Sequence, residues 1–202
     1  MCEVKSERRL SLRERNRQRL TQRIVDAAAE LFRTVGYEQT TMDAIAERAE
    51  VSRGTLFNYF ATKQSLLLPF AYELYKQKVQ PEVRSYLDTS PTTLEALRAF
   101  FLSIYEHVFA FPGMEGALQG ELFHSQTAVK HQRYGAGFID MLSAILQYGQ
   151  RRDEVRADIS LEQLARYVGV LYIALMHNVV PPEEYIVEID RLLAFLRPAL
   201  AP

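Results

Sequence analysis

The stretch from Thr40 to Lys63 constrains this chain more than any other. Thr40 is a good N-cap residue, and Asp43 three positions on suits a capping box. Met42, Ile45, Ala46 and Ala49 recur at helical spacing and predict one apolar stripe. Glu50-Val51 reads as a tight turn, and Ser52 as the cap of a second helix. That helix would bury Leu56 and Phe60 and present Arg53, Gly54, Thr55, Asn58 and Tyr59 on its other side. Thr62 would cap a third helix, with Lys63 in its first turn. Two short helices on a tight turn, the second exposing polar groups from its first turn, match the helix-turn-helix that fits a DNA major groove. Gly54 sharpens this reading. A glycine inside a helix costs about 1 kcal/mol against alanine, so its presence suggests that another surface approaches closely. A phosphate backbone is such a surface, and helix N-termini present N–H groups to phosphates.

At these residues the sequence resembles the TetR family of one-component transcriptional regulators. The matching features are Gly36-Tyr37, Thr40-Thr41, Ile45-Ala46, Ala49, Val51-Ser52, Gly54-Thr55-Leu56-Phe57, Tyr59-Phe60 and Lys63. They cover the segment from Ala27 to Leu68; beyond it the likeness lies in length and helical character. Phe57 stands where many relatives have tyrosine, and Tyr59 where many have histidine. The resemblance implies a homodimer formed through the last two long helices, an operator of double-stranded DNA and a small-molecule effector.

The 202 residues fit a small domain plus a medium one, and 48% hydrophobic content suffices for a packed core. The expected division is a helix-turn-helix domain with a basic arm over residues 1–63 and a helical ligand-binding and dimerisation domain over residues 64–202. One cysteine, Cys2, excludes an internal disulfide framework and fits a reducing cytoplasm. The N-terminus lacks the apolar run of a signal peptide. The longest apolar run, Tyr167 to Met176, is too short to span a bilayer, so no membrane partner is expected. Net charge is −1 but uneven. Lys5, Arg8, Arg9, Arg13, Arg15, Arg17, Arg19 and Arg23 oppose only Glu3, Glu7 and Glu14 in residues 1–23. Residues 64–202 carry 12 basic and 16 acidic side chains. A basic head on an acidic body suggests a polyanion at one end, and the arm would then reach phosphates or a minor groove.

The rest of the chain reads as helices throughout, with no period-two strand pattern and no repeat. Ser11 and Glu14 form a possible capping box for a first helix from about Leu12 to Val35, closed by Gly36. A long helix from Thr62 to about Leu87 is interrupted at Pro69 and again at Pro81, which either kinks it or starts a separate helix. Ser90, Thr92 or Thr93 caps the next, which ends at Phe111-Pro112-Gly113. A short helix from Glu115 to about Ser125 precedes a longer one from Val129 to Gln150, where Gly135 and Gly137 weaken the helix or admit a neighbour. Ser160 and Gln163 open a helix apolar nearly all round, with stripes Leu161, Leu164, Val168, Leu171, Leu175 and Tyr167, Val170, Ala174, His177. The last helix carries Ile186, Ile189, Leu193, Leu196 and Leu200, with Leu192 and Phe195 in addition. Two such helices at the end of a short chain call for a second subunit to cover them.

No P-loop, Gly-x-Ser-x-Gly or His-Glu-x-x-His pattern is present. Glu121 and His124 have the Glu-x-x-His spacing of di-iron bundles, but those need two copies and two further glutamates, so neither metal nor enzymatic activity is expected. The DNA-contact candidates are Thr41, Ser52, Arg53, Gly54, Thr55, Asn58, Tyr59 and Lys63. Arg53, Thr55, Asn58 and Tyr59 suit base edges or nearby phosphates, whereas Thr41, Gly54 and Lys63 suit phosphates alone. Aromatic residues on the later helices suggest a pocket for a mostly apolar effector, with Tyr105, Phe109, Phe123, His124, Tyr134, Phe138 and His177 as its lining. The want of a concentrated basic cluster argues against a highly anionic ligand. The composite expectation is an all-α, ligand-responsive repressor released from a palindromic operator. The alternatives are a helical metalloenzyme and a DNA-binding protein without an effector.

Overall fold

A computed structural model describes residues 11–109, 117–118, 128–177 and 184–202; for residues 109, 128–136 and 177 only the backbone element is described. Every regular element among them is helical. The chain forms two compact units, Met1–Leu66 and Leu67–Pro202.

The first unit starts with α1, Leu12–Thr34, opened by the expected capping box: Ser11 N–H donates to Glu14 Oε2 at 2.8 Å, and Glu14 N–H to Ser11 Oγ at 3.2 Å. Its buried stripe is Ile24, Val25, Ala27, Ala28, Ala29 and Phe32. Gly36, at φ +90°, takes the left-handed conformation that ends the helix. Tyr37 follows, buried edge-on against Phe32 with 5.2 Å between ring centroids. The cap of α2, Met42–Arg48, is Thr41 rather than Thr40: Ala44 N–H donates to Thr41 Oγ1 at 3.1 Å. Thr40 is buried instead, its hydroxyl closing the loop on the Gly36 carbonyl at 2.7 Å. Displacing the cap by one residue also removes the proposed box, and Asp43 turns outward to Arg53. Glu50 sits at φ 52°, and Val51 N–H reaches back to the Ala46 carbonyl at 3.0 Å, which sets the turn. Ser52 caps α3, Arg53–Tyr59, which buries Leu56; Phe60 just beyond it is buried too. Thr62 and Ser65 then exchange hydrogen bonds around a 3-10 turn, Gln64–Leu66, in place of the α-helical turn expected there.

The second unit comprises α4 (Leu67–Leu74), α5 (Gln80–Leu87), α6 (Thr93–Ile104), α7 (Ala128–Gln150), α8 (Leu161–His177) and α9 (Tyr185–Leu200). Pro69 lies in the first turn of α4, where its missing N–H has no helical partner to lose. Pro81 lies in the first turn of α5, close to the N1 position at which a separate helix would start. A π-turn, Tyr75–Val79, joins α4 to α5, and Gln80 N–H donates to the Tyr75 carbonyl five residues back. The widened turn absorbs the register change that the proline imposes. A second π-turn, Tyr105–Phe109, extends α6 and packs against the first. Helix α6 is central: it touches α5, α7 and α9 and buries Ala96, Leu97, Phe100, Phe101 and Ile104. Thr92 is its cap, boxed with Glu95. Only one stripe of α8 is buried, through Leu164, Val168, Tyr172 and Met176, so Leu171 lies outside the core stripe expected for it. Helix α9 buries Tyr185, Ile189, Leu193, Leu196 and Leu200, whereas Ile186 points outward. No helix of the described residues is long and apolar enough to cross a membrane. The expected helix ending at 111–113, the short helix at 115–125 and Pro181-Pro182 fall, in whole or in part, outside the described residues.

Gly137 makes room for a neighbour. A Cβ there would lie 2.9 Å from Tyr75 Cε1, and the Tyr75 hydroxyl is tied to the Gly137 carbonyl at 2.5 Å, so the ring has no easy retreat. Gly137→Ala therefore lowers stability by about 1–3 kcal/mol; urea unfolding checks this, and an unchanged midpoint would refute the packing role.

Candidate nucleic-acid interface

The outward side of α3 carries the residues expected there, with Phe57 in addition. Arg53, Gly54, Phe57 and Asn58 are exposed, Thr55 and Tyr59 half-buried, and Leu56 with Phe60 hold the opposite side in the core. Ser52 Oγ accepts from Thr55 N–H at 3.0 Å and lies 2.7 Å from Thr55 Oγ1, so the two hydroxyls order each other at the helix start. Arg53 stands over the Phe57 ring at 5.5 Å and reaches Asp43 at 3.3 Å. Phenylalanine at 57 thus acts as a shelf for the guanidinium. Both partners of the ion pair are largely exposed, and such pairs contribute about 0–1 kcal/mol. A base edge or phosphate can take Arg53 from Asp43 at little cost. Gly54 has no atom nearer than Ser52 Oγ at 4.0 Å around its absent side chain. Packing within the chain therefore does not require a glycine there.

Two phosphate candidates carry structural duties as well. Thr41 Oγ1 is occupied as an acceptor by the cap and keeps its proton for another acceptor. Lys63 Nζ donates to the carbonyls of Tyr37 at 2.6 Å and Glu38 at 3.1 Å and lies 4.3 Å from the centre of the Tyr37 ring. It pins the loop before α2. Arg48 likewise clamps Glu30 and so joins α2 to α1.

In the second unit Tyr105 and Phe138 are the two described members of the expected pocket lining. Tyr105 is stacked on Tyr185 with 3.7 Å between centroids, and Phe138 packs on Phe100 and Tyr172 at 5.5 and 5.8 Å. The side chains of Phe109, Tyr134 and His177 are not among those described, and Phe123 and His124 lie outside the described residues altogether. Tyr172 and Tyr185 knit this aromatic cluster together. Their hydroxyls lie 3.0 Å apart, and each is 3.3 Å from the Phe101 carbonyl. Burial pushes both phenols well above their ordinary range, so they stay protonated donors. Tyr185 lies four residues before Ile189, a spacing that places it on the core stripe of α9. Glu82 on α5 accepts from the Ser103 hydroxyl at 2.7 Å and meets His107 Nε2 at 3.0 Å, so His107 is tied to an acidic neighbour. Among the described residues no cluster of histidine, cysteine and carboxylates suits a metal ion.

A capped two-helix reader with an exposed, hydrogen-bonding second helix defines a helix-turn-helix protein. Residues 24–69 match the family model of the bacterial regulatory proteins, tetR family. The HTH-type transcriptional repressor KstR2 of Rhodococcus jostii is 30% identical over 155 residues, 72% of this chain and 72% of that protein. The fatty acid metabolism regulator protein of Bacillus subtilis is 26% identical over 148 residues, 71% of this chain and 74% of its own. The solved structure of Thermus thermophilus FadR, a TetR-family repressor in complex with lauroyl-CoA, is 30% identical, covers 87% of this chain and 92% of that one, and superposes with a TM-score of 0.67. The chain belongs to the TetR family: it is a DNA-binding transcriptional regulator and not an enzyme.

Two substitutions separate the roles in this face. Gly54→Ala should leave the fold intact or stabilise it by up to about 1 kcal/mol while weakening DNA binding; equal affinity in an anisotropy titration would show that nothing approaches Gly54. Lys63→Ala should weaken binding on all sequences alike and also cost about 1–3 kcal/mol of stability, because two backbone carbonyls lose their donor. Thermal melting reads the second effect.

Proposed function

We propose that this regulator is a cytoplasmic repressor that grips a palindromic operator as a twofold dimer and is released by an acyl thioester of coenzyme A. Residues 1–63 act as the reading head and residues 64–202 as the effector-binding, dimer-forming body. Arg53, Thr55, Asn58 and Tyr59 meet base edges and nearby phosphates; Thr41, Ser52, Gly54 and Lys63 set register on the backbone.

The dimer is supported by the uncovered apolar faces of the last two helices. Tyr167, Val170 and Ile173 on α8, with Ile186, Val187 and Phe195 on α9, are exposed, Phe195 by 67%. A patch of this kind on a protein's surface marks an interaction site, and a four-helix packing of α8 and α9 with a second copy covers it. The effector class is supported by the likeness to the lauroyl-CoA-bound FadR, together with the aromatic cluster of Phe100, Phe101, Tyr105, Phe138, Tyr172 and Tyr185. Such a cluster suits the hydrocarbon part of a thioester and leaves its anionic nucleotide to the exterior, so the want of a concentrated basic cluster weighs against burying the nucleotide and not against the acyl chain. Release follows if the effector binds more tightly to the form whose reading helices are wrongly spaced, and only to the extent of that difference.

The test is operator release. Lauroyl-CoA and its shorter and longer homologues should dissociate the complex, whereas coenzyme A alone should not. Phe138→Ala should weaken the effector response by about tenfold, from the lost burial of one aromatic side chain, with operator affinity unchanged. Release by a ketosteroid but by no acyl thioester would reassign the effector, and a monomer at working concentration would remove the dimer.

A further inference from the structure

The arginines ahead of the three-helix core stand on a rigid element. Helix α1 begins at Leu12, yet residues 11–19 are exposed without exception and the first buried residue is Ile24. About 17 Å of helix therefore carries Arg13, Arg15, Arg17, Arg19 and Arg23 ahead of the core. Helical geometry sorts them into two rows. Arg15, Arg19 and Arg23 recur every fourth residue, about 6 Å apart along the axis, and Arg13 with Arg17 forms a second row. The single carboxylate in this stretch, Glu14, is held by Ser11 in the capping box. Among the described residues no acidic group pairs with Arg13, Arg15, Arg17 or Arg19. Arg23 shows where the rod lies relative to the reading helix: its guanidinium donates to the Glu50 carbonyl at 3.2 Å, in the turn that leads to Ser52 and α3.

We propose that the first turns of α1 form an arginine rod that grips the phosphates of duplex DNA flanking the bases read by α3. Each DNA strand presents a phosphate about every 3.4 Å of axis, so a row of three arginines spans three or four of them. A preformed helix holds the guanidiniums in place before contact, and less freedom is lost on binding than for an unstructured tail. The rod adds affinity and salt sensitivity without reading sequence. This rests on the chain binding a duplex operator, and the experiment keeps the two ideas apart.

The full chain is compared with a variant carrying Arg13→Gln, Arg15→Gln, Arg17→Gln and Arg19→Gln; Arg23 is kept because it anchors the α2–α3 turn. The probes are a selected operator with long flanks and the same site trimmed to its core. On the flanked duplex the slope of log affinity against log salt should become shallower by about 3–4 for each protomer, about 7 for the twofold dimer, at about 0.9 for each phosphate released. Affinity at low salt should fall about 10²-fold with base preference unchanged, and the native chain's preference for the flanked duplex should vanish. The matching Arg→Lys variant should keep the slope, because charge carries the effect. An unchanged slope, or a loss shared equally by the Lys variant, overturns the proposal. A slope change that is the same on the trimmed duplex overturns the flanking location. If the native chain binds no duplex, the operator reading fails instead.

Discussion

The reading helix cannot exist by itself. Helices α2 and α3 have seven residues each, and isolated helices shorter than about 12–15 residues are marginal in water. Their stability comes from what they bury: Ile45, Ala46 and Ala49 from one, Leu56 and Phe60 from the other, in a unit whose α1 buries Ile24, Ala28 and Phe32. The turn between them adds direction. With Glu50 in the left-handed region and Val51 bonded to Ala46, the axis of α3 is set before any ligand arrives. The polar side of α3 is then held out at one angle, as binding to a groove requires.

The body depends on burial in the same way. Helix α6 is surrounded, and its last α-turn passes into a π-turn where the Phe101 carbonyl is used by Tyr172 and Tyr185. Two buried hydroxyls are satisfied there without any charge. Tyr105, Phe138 and Phe100 extend the apolar surface around them. A paired π-turn upstream of Pro81 lies against this region, and π-turns are common where helices serve a function. The aromatic cluster therefore packs beside two turns whose local register is already unusual.

Legibility varied with the kind of signal. Leu56 and Phe60 were readable because spacing places them together on one side of any helix containing Arg53 and Asn58. Thr40 and Thr41 were not separable, since both can cap; burial of Thr40 and its bond to the Gly36 carbonyl decide between them. Lys63 looked like a phosphate contact by residue type alone, and only the fold brings the Tyr37 and Glu38 carbonyls to its ammonium. Tyr185 is absent from the expected stripe of α9, which begins one residue later at Ile186. Pro81 offers a kink or a new helix; it falls in the first turn of α5, and the widened turn before it depends on the backbone geometry around Tyr75.

From its order of residues alone this chain carries its helical nature, its capped reader and its basic head. These rest on periodicities and caps that act within a few residues of one another. Which face of each long helix turns inward came from tertiary structure, because α8 and α9 are apolar on more than one side and only packing against α6 and α7 selects the stripe through Leu164 and Tyr172. The arginines divide between sequence and fold: the Ser11–Glu14 capping box already places them on a helix from Leu12, and the structure adds that residues 11–19 are exposed and that burial starts only at Ile24.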